Sequence, residues 1–146
     1  MGKFVMSRVI NPNAPGKTRN QHMRTLAEIL RRLATKRVVD NETKDMAAAM
    51  VFIFRDIDAG VNVSAEAWEK RNYWLKADRF RIEWEWVGQA AADVEDVIRN
   101  EAWDLLPRLM MDLFPHLAGI KIKRLTRDPE LWRGAFGRLT AEFSTG

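Results

Sequence analysis

The sequence predicts an all-α protein: a bundle of about five helices forming a single helical domain over residues 1–146. Three observations predict it. Apolar residues recur at steps of three and four along most of the chain. Ser, Asp, Gly and Pro stand where helices would start or stop. One segment, about 65–100, keeps the helical period long enough for a central helix of roughly 50 Å at 1.5 Å per residue.

The first helix is expected over 18–37, capped by Thr18 or Asn20, with Met23, Leu26, Leu30 and Leu33 as its apolar stripe. Lys17, Arg24 and Arg31 repeat every seven residues, so a basic stripe faces away from the core. The second helix is expected over 41–59. Asp40 or Asn41 caps it, Gly60 stops it, and Met46, Met50, Ile53 and Ile57 form its main stripe. It is apolar on most sides, which places it centrally.

The long helix follows Ser64, a suitable N-cap. Tyr73, Ala77, Phe80, Trp84, Val87, Ala91, Val94 and Ile98 form its seam. Trp68, Leu75, Ile82 and Trp86 make a second stripe, about 150° away at 100° per residue. Two apolar faces need cover on two sides, from this chain or from a second subunit. Gly88 is the expected break if the segment is two helices.

A fourth helix is expected over 101–114, bent by Pro107 within it. After Gly119, the 120–125 segment alternates as a short strand would. It is suited to pair with 4–10 as a minor two-stranded addition to an N-terminal extended arm. The arm and its loop cover 1–17. The fifth helix starts near Asp128-Pro129-Glu130 and offers Leu131, Phe136, Leu139 and Phe143 to the core.

With 47% hydrophobic and 30% charged residues, the composition is that of a soluble globular domain. The absence of cysteine excludes disulfides, thiolate metal sites and cysteine nucleophiles. The longest apolar cluster, 46–54, is too short for a membrane span, and no stretch reads as a signal peptide. A cytoplasmic protein without a membrane partner is expected.

The net charge of +4 is unevenly distributed. Residues 1–37 carry nine Lys and Arg against one acid, Glu28, for a net +8. Residues 38–118 carry −7 and residues 119–146 carry +3. Two basic ends therefore flank an acidic middle. Such a layout suits an anionic partner, and it equally suits ends that fold back onto the middle.

Gly16-Lys17-Thr18 invites comparison with a phosphate loop, but Asn11 stands where the first glycine is needed. Pro12 and Pro15 remove two N–H donors from the cradle. The residues read instead as a polar linker. Lys17, Arg19 and Arg24 near a helix N-terminus could still hold a phosphate.

The two histidines, His22 and His116, lack metal-ligand spacing. His22 reads as a surface helix residue and His116 as a loop or helix-end residue. No Ser or Thr has the local setting of a nucleophile. No catalytic residue, metal or cofactor is expected.

Glu66 and Glu69, followed after 23 intervening residues by Asp93 and Asp96, form two spaced acidic pairs. Their pattern resembles the paired acidic motifs of all-α MazG-like nucleotide pyrophosphohydrolases, with Asp93 where that family has Glu. The resemblance implies a metal-dependent nucleotide hydrolase binding magnesium between two helices. On one continuous helix the pairs lie ~36 Å apart and cannot share an ion. Only a sharp reversal near Gly88 would join them.

The leading expectation is a non-catalytic module binding nucleic acid or another polyanion through Lys17, Arg19, Arg24, Arg31, Arg32 and Lys36. Lys121, Lys123 and Arg124 would add to that surface. Its contacts would be mainly to phosphates and strongly salt-dependent. The alternative is a protein-interaction or homo-oligomerisation subunit using Trp68, Leu75, Ile82 and Trp86. Six tryptophans lie mostly on or beside 65–100. Aromatic stripes at helical spacing read first as core, and an interface along this face is the alternative reading for those that need cover elsewhere. Base stacking on those rings is disfavoured because acids neutralise the interleaved basic residues.

Overall fold

The computed structural model describes residues 14–145. Five α-helices run along the chain: α1 Ala14–Leu33, α2 Asn41–Glu69, α3 Trp74–Arg99, α4 Leu106–Leu117 and α5 Ala135–Thr145. Short 3-10 turns occupy Trp103–Leu105 and Pro129–Leu131. The described residues contain no strand, so the all-α expectation holds.

The central element is α2, and its sequence explains why. Asp40 and Thr43 form a capping box: the Asp40 carboxylate accepts from the Thr43 amide at 2.8 Å, and the Thr43 hydroxyl accepts from the Asp40 amide at 3.4 Å. Met46 to Val51, with Ile53, Phe54 and Ile57, are buried. Three consecutive alanines, 47–49, keep the helix thin where its neighbours approach. It packs most extensively on α3, and also on α1 and α5.

The expected helix over 65–100 is two helices. The reversal lies at 70–73, not at Gly88. There the Tyr73 amide donates to the Trp68 carbonyl and the Asn72 amide to that of Glu69, a Schellman closure with Asn72 at φ 66°. The turn contains neither Gly nor Pro, and Asn is the residue that best tolerates this conformation after glycine. Gly60 does not stop α2. The helix continues because Val61 and Ala65 are buried, which outweighs about 1 kcal/mol of glycine helix cost. Gly88 sits inside α3 facing α2, and a Cβ there would lie 3.6 Å from the Asp58 carboxylate.

The seam from Ala77 to Ile98 is the face that α3 buries or half-buries against the bundle. Tyr73, its first expected member, is exposed in the turn. A second Schellman closure ends α3. The Ala102 amide reaches the Val97 carbonyl and that of Glu101 the Ile98 carbonyl, with Glu101 at φ 52°.

Pro107 occupies the first turn of α4, where its missing N–H costs nothing. It neither bends nor splits the helix. The chain then runs through 118–128 without helix or strand. The 120–125 strand is therefore absent, and its expected partner, 4–10, lies outside the described residues. The fifth helix begins later than expected: the Asp45 carboxylate on α2 accepts from the amides of Gly134 and Phe136, fixing the start of α5. Trp132, 2% exposed, plugs the core beneath it.

Of the arm expected over 1–17, residues 14–17 belong to α1, and the rest lies outside the described residues. Gly16-Lys17-Thr18 is thus helical, not a loop or linker, and Thr18 and Asn20 lie inside the helix. At its other end α1 stops at Leu33, before Arg37.

Candidate functional site

The site is built on one carboxylate. Glu28 lies on α1 among buried residues and is itself 0% exposed. It accepts from the Thr126 amide at 2.7 Å, the Arg127 amide at 2.9 Å, the Thr126 hydroxyl at 2.9 Å and Arg24 Nε at 3.0 Å. Arg127 Nη1 stands 3.8 Å away. Burial alone would raise the Glu28 carboxyl. The hydrogen bonds from Arg127, Thr126 and Arg24 outweigh burial and hold it at about 2. A buried charge is tolerable only when its oxygens are satisfied in this way.

Around this carboxylate, α1 grips the 122–127 segment by its backbone. Arg24 Nη2 donates to the Arg124 carbonyl at 3.2 Å, Arg31 Nη1 to the Ile122 carbonyl at 2.7 Å, and Arg32 Nη2 to the Arg127 carbonyl at 3.4 Å. Arg127 reaches back to the Thr25 hydroxyl and the Gln21 carbonyl. The two basic ends of the described chain therefore meet each other along this segment, while Lys36 also pairs with the acidic middle at Asp40 and Glu42. Like charges can adjoin here because the guanidiniums spend donors on carbonyls and Glu28 supplies a central anion.

The nine expected phosphate-binding residues divide. Lys121, Lys123 and Arg124 are exposed, and among the described residues no side-chain partner holds their charged groups. Arg31 is exposed and keeps donors free beyond its Ile122 bond. The bonds to the Ile122, Arg124 and Arg127 carbonyls set the backbone that carries Lys121, Lys123 and Arg124 against α1, beside Arg31, Arg24 and Arg32, of which the last two are half-buried and engaged. Lys17 is exposed at the start of α1, more than a turn before Arg24.

Arg19 does not belong to that face. Its guanidinium lies over the rings of Phe80 and Trp84, 4.9 and 5.3 Å from their centroids. Burial lowers its pKa, against a raising influence of Glu83. Lys36 is neutralised by Glu42 at 2.8 Å and Asp40 at 2.9 Å, and these bonds raise its pKa.

The expected interface stripe also divides. Leu75 and Ile82 are exposed at 62% and 65%. Trp68 packs edge-on against Phe80, with Lys76 over its ring. Trp86 is covered from within the chain: it stacks on His116 with centroids 3.9 Å apart and meets Phe54 edge-on. Trp84 and Trp86, expected on opposite faces, stack 6.3 Å apart. His116 thus sits in the last turn of α4 as a packing residue. His22 is half-buried, 3.9 Å from Asp56, with its pKa lowered by burial and partly restored by Asp56.

The acidic pairs remain separate despite the hairpin. The Arg55–Glu95 and Glu69–Arg81 ion pairs set the α2–α3 register. In that register Asp93 falls opposite residue 57, so Glu66 and Asp93 lie about 14 Å apart along the hairpin, and on different helices. Glu69 is engaged by Arg81, and Asp93 accepts from Gln89. Among the described residues, no group of three His, Asp or Glu side chains is placed to hold a metal ion. No helix among them is long and apolar enough to cross a membrane.

Sequence reasoning missed Glu28, Thr25 and Thr126. A signal existed: Glu28 is the lone acid among nine basic residues and falls four residues after Arg24. Comparisons with protein families, curated proteins and solved structures find no match to the chain.

Proposed function

We propose that the protein is a non-catalytic module that binds nucleic acid, or a polyanion of similar charge density, on the face formed by α1 and 121–127. The observation that carries this reading is the clip between Glu28 and Thr126–Arg127. It lays Lys121, Lys123 and Arg124 beside Arg31 while removing the only acid of α1 from solvent. The exposed cations are neighbours on one side of the molecule, as phosphate contacts require. Recognition is of charge and spacing, because the face offers no helix free to enter a groove.

The test is fluorescence-anisotropy titration with labelled single- and double-stranded DNA and RNA. The charge-reversed pair Lys121→Glu and Lys123→Glu should lose binding. Reversal of Lys70 and Arg71, at the far hairpin turn, should not. Equal loss in both variants would point to net charge alone and overturn the assignment of this face.

A second reading rests on its own observation. Tyr73, Trp74, Leu75 and Ile82 are each more than half exposed, around the α2–α3 turn. Leu75 and Ile82 lie two turns apart on one side of α3. This narrower patch, without Trp86, would support self-association or protein docking.

A further inference from the structure

A second surface is carried by the gap between α1 and α4. Its floor is Leu30, Leu33 and Met110, and Phe114, Val38 and Trp103 form its walls, enclosing about 410 Å³. A neighbouring hollow of about 300 Å³ shares Leu30, Ala34 and Phe114 and continues to Ile120 and Ile122. The two make one apolar groove along α4, a helix of 12 residues or roughly 18 Å. Met111 is 70% exposed, Val38 68% and Phe114 59%. Exposed contiguous apolar surface of this kind marks a docking site.

The charge at the rim selects the occupant. The side chains lining both hollows include Arg31, Lys36 and Arg37 and no Asp or Glu. Lys36 is already neutralised. Arg37 is exposed, and among the described residues no ion pair holds it and Arg31 gives one bond, to a carbonyl. A second copy related by a two-fold axis would bring this positive rim against itself. A nucleic acid would have to desolvate phosphates against Leu, Met and Phe side chains.

We propose that this groove receives an amphipathic helix of a partner protein, with apolar anchors at i, i+3 or i+4, and i+7, and acidic residues flanking them. The length matches three turns of helix. The unbranched, adaptable Met110 and Met111 suit a groove that moulds to its ligand. Arg31 and Arg37 pair with the flanking acids and fix the direction of the helix.

The experiment is selection of displayed random peptides on the full-length protein, followed by titration of the enriched sequences as synthetic peptides. The enriched set should show the helical apolar pattern with Asp or Glu beside it. Phe114→Ser should weaken those peptides at least about tenfold, as loss of a groove anchor does. Because Phe114 is exposed, this variant should keep its melting temperature. Arg37→Glu should weaken them by a smaller factor, and more at low salt.

Phe114→Ser should leave oligonucleotide binding unchanged, so this proposal and the polyanion reading fail separately. Selection of the same peptides on Phe114→Ser, or enrichment without acids, would overturn the proposal. So would a dimer that Phe114→Ser dissociates, which makes a second copy the occupant. Loss of oligonucleotide binding in Phe114→Ser would place nucleic acid in the groove instead.

Discussion

Arg31 donates to the carbonyl of Ile122 at 2.7 Å, across 91 positions of the chain. This bond is one of three by which arginines of α1 hold the backbone of the 118–128 connection. The connection has no secondary structure of its own to satisfy its carbonyls. The guanidiniums do so from a rigid helix, and Glu28 satisfies two of its amides. The 122–127 segment is thereby shaped by α1, and its free cations are set at fixed positions on a common face.

Glu28→Gln is expected to destabilise the fold by about 2–4 kcal/mol. It leaves four donors around a weaker acceptor and introduces a buried NH₂ beside them. Chemical denaturation of the two proteins checks this.

Acid should act through the same carboxylate. Its folded pKa of about 2 lies below the ordinary glutamate value of 4.5. A depressed folded pKa contributes stability that is fully present above the unfolded value and lost as pH falls through the folded one. The loss should therefore run from about pH 4.5 down to pH 2 and amount to about 3 kcal/mol. The slope of stability against pH in that window should be shallower in Glu28→Gln. An identical slope in both proteins would show that Glu28 is not held down by its donors.

Glu101→Gly should raise stability by up to about 1 kcal/mol, because residue 101 closes α3 at φ 52°, where glycine carries no Cβ penalty. Gly60→Ala should raise it by a similar amount, about 1 kcal/mol. Gly60 is helical and a Cβ there meets nothing within 4 Å. Thermal melts of the two single variants test both statements. A fall in either would mean that the local backbone differs from the one described.

Leu75→Glu and Ile82→Glu should change stability by less than about 0.5 kcal/mol, as exposed sites do. Trp86→Glu should cost several kcal/mol, because its ring is packed between His116 and Phe54. Size-exclusion chromatography of Leu75→Glu with Ile82→Glu therefore tests self-association, whereas Trp86→Glu mainly tests folding. If the wild type is a dimer and the double variant remains one, the interface lies elsewhere.

The sequence made the helical class and the centrality of α2 legible, because both follow from apolar period and caps. The partition of 41–100 into helices was not legible. Gly60 and Ser64 look like a stop and a start, while the true turn at Asn72 is signalled by one residue without Gly or Pro. Propensity was overruled there by burial of Val61 and Ala65. Similarly, Pro107 reads as an interruption until its place in the first turn of α4 is known.

The candidate face was legible in its charges but not in its wiring. Arg24, Arg31 and Arg32 look like free cations in a linear pattern. Their carbonyl partners lie almost a hundred residues away, in a segment whose alternation imitates a strand. The surroundings of Arg19 were hidden for a related reason: the rings over which it lies, Phe80 and Trp84, come from α3.

The most direct test of the polyanion-binding reading is the salt dependence of oligonucleotide affinity for the wild type and for Lys123→Gln and Arg31→Gln. If the two basic segments form one phosphate-binding face, the wild type binds at low salt and weakens steeply as salt rises. Each neutralisation should then lower the log–log slope by about 0.7–0.9, one phosphate contact apiece. Absence of binding at low salt, or slopes that neither variant changes, would contradict the account.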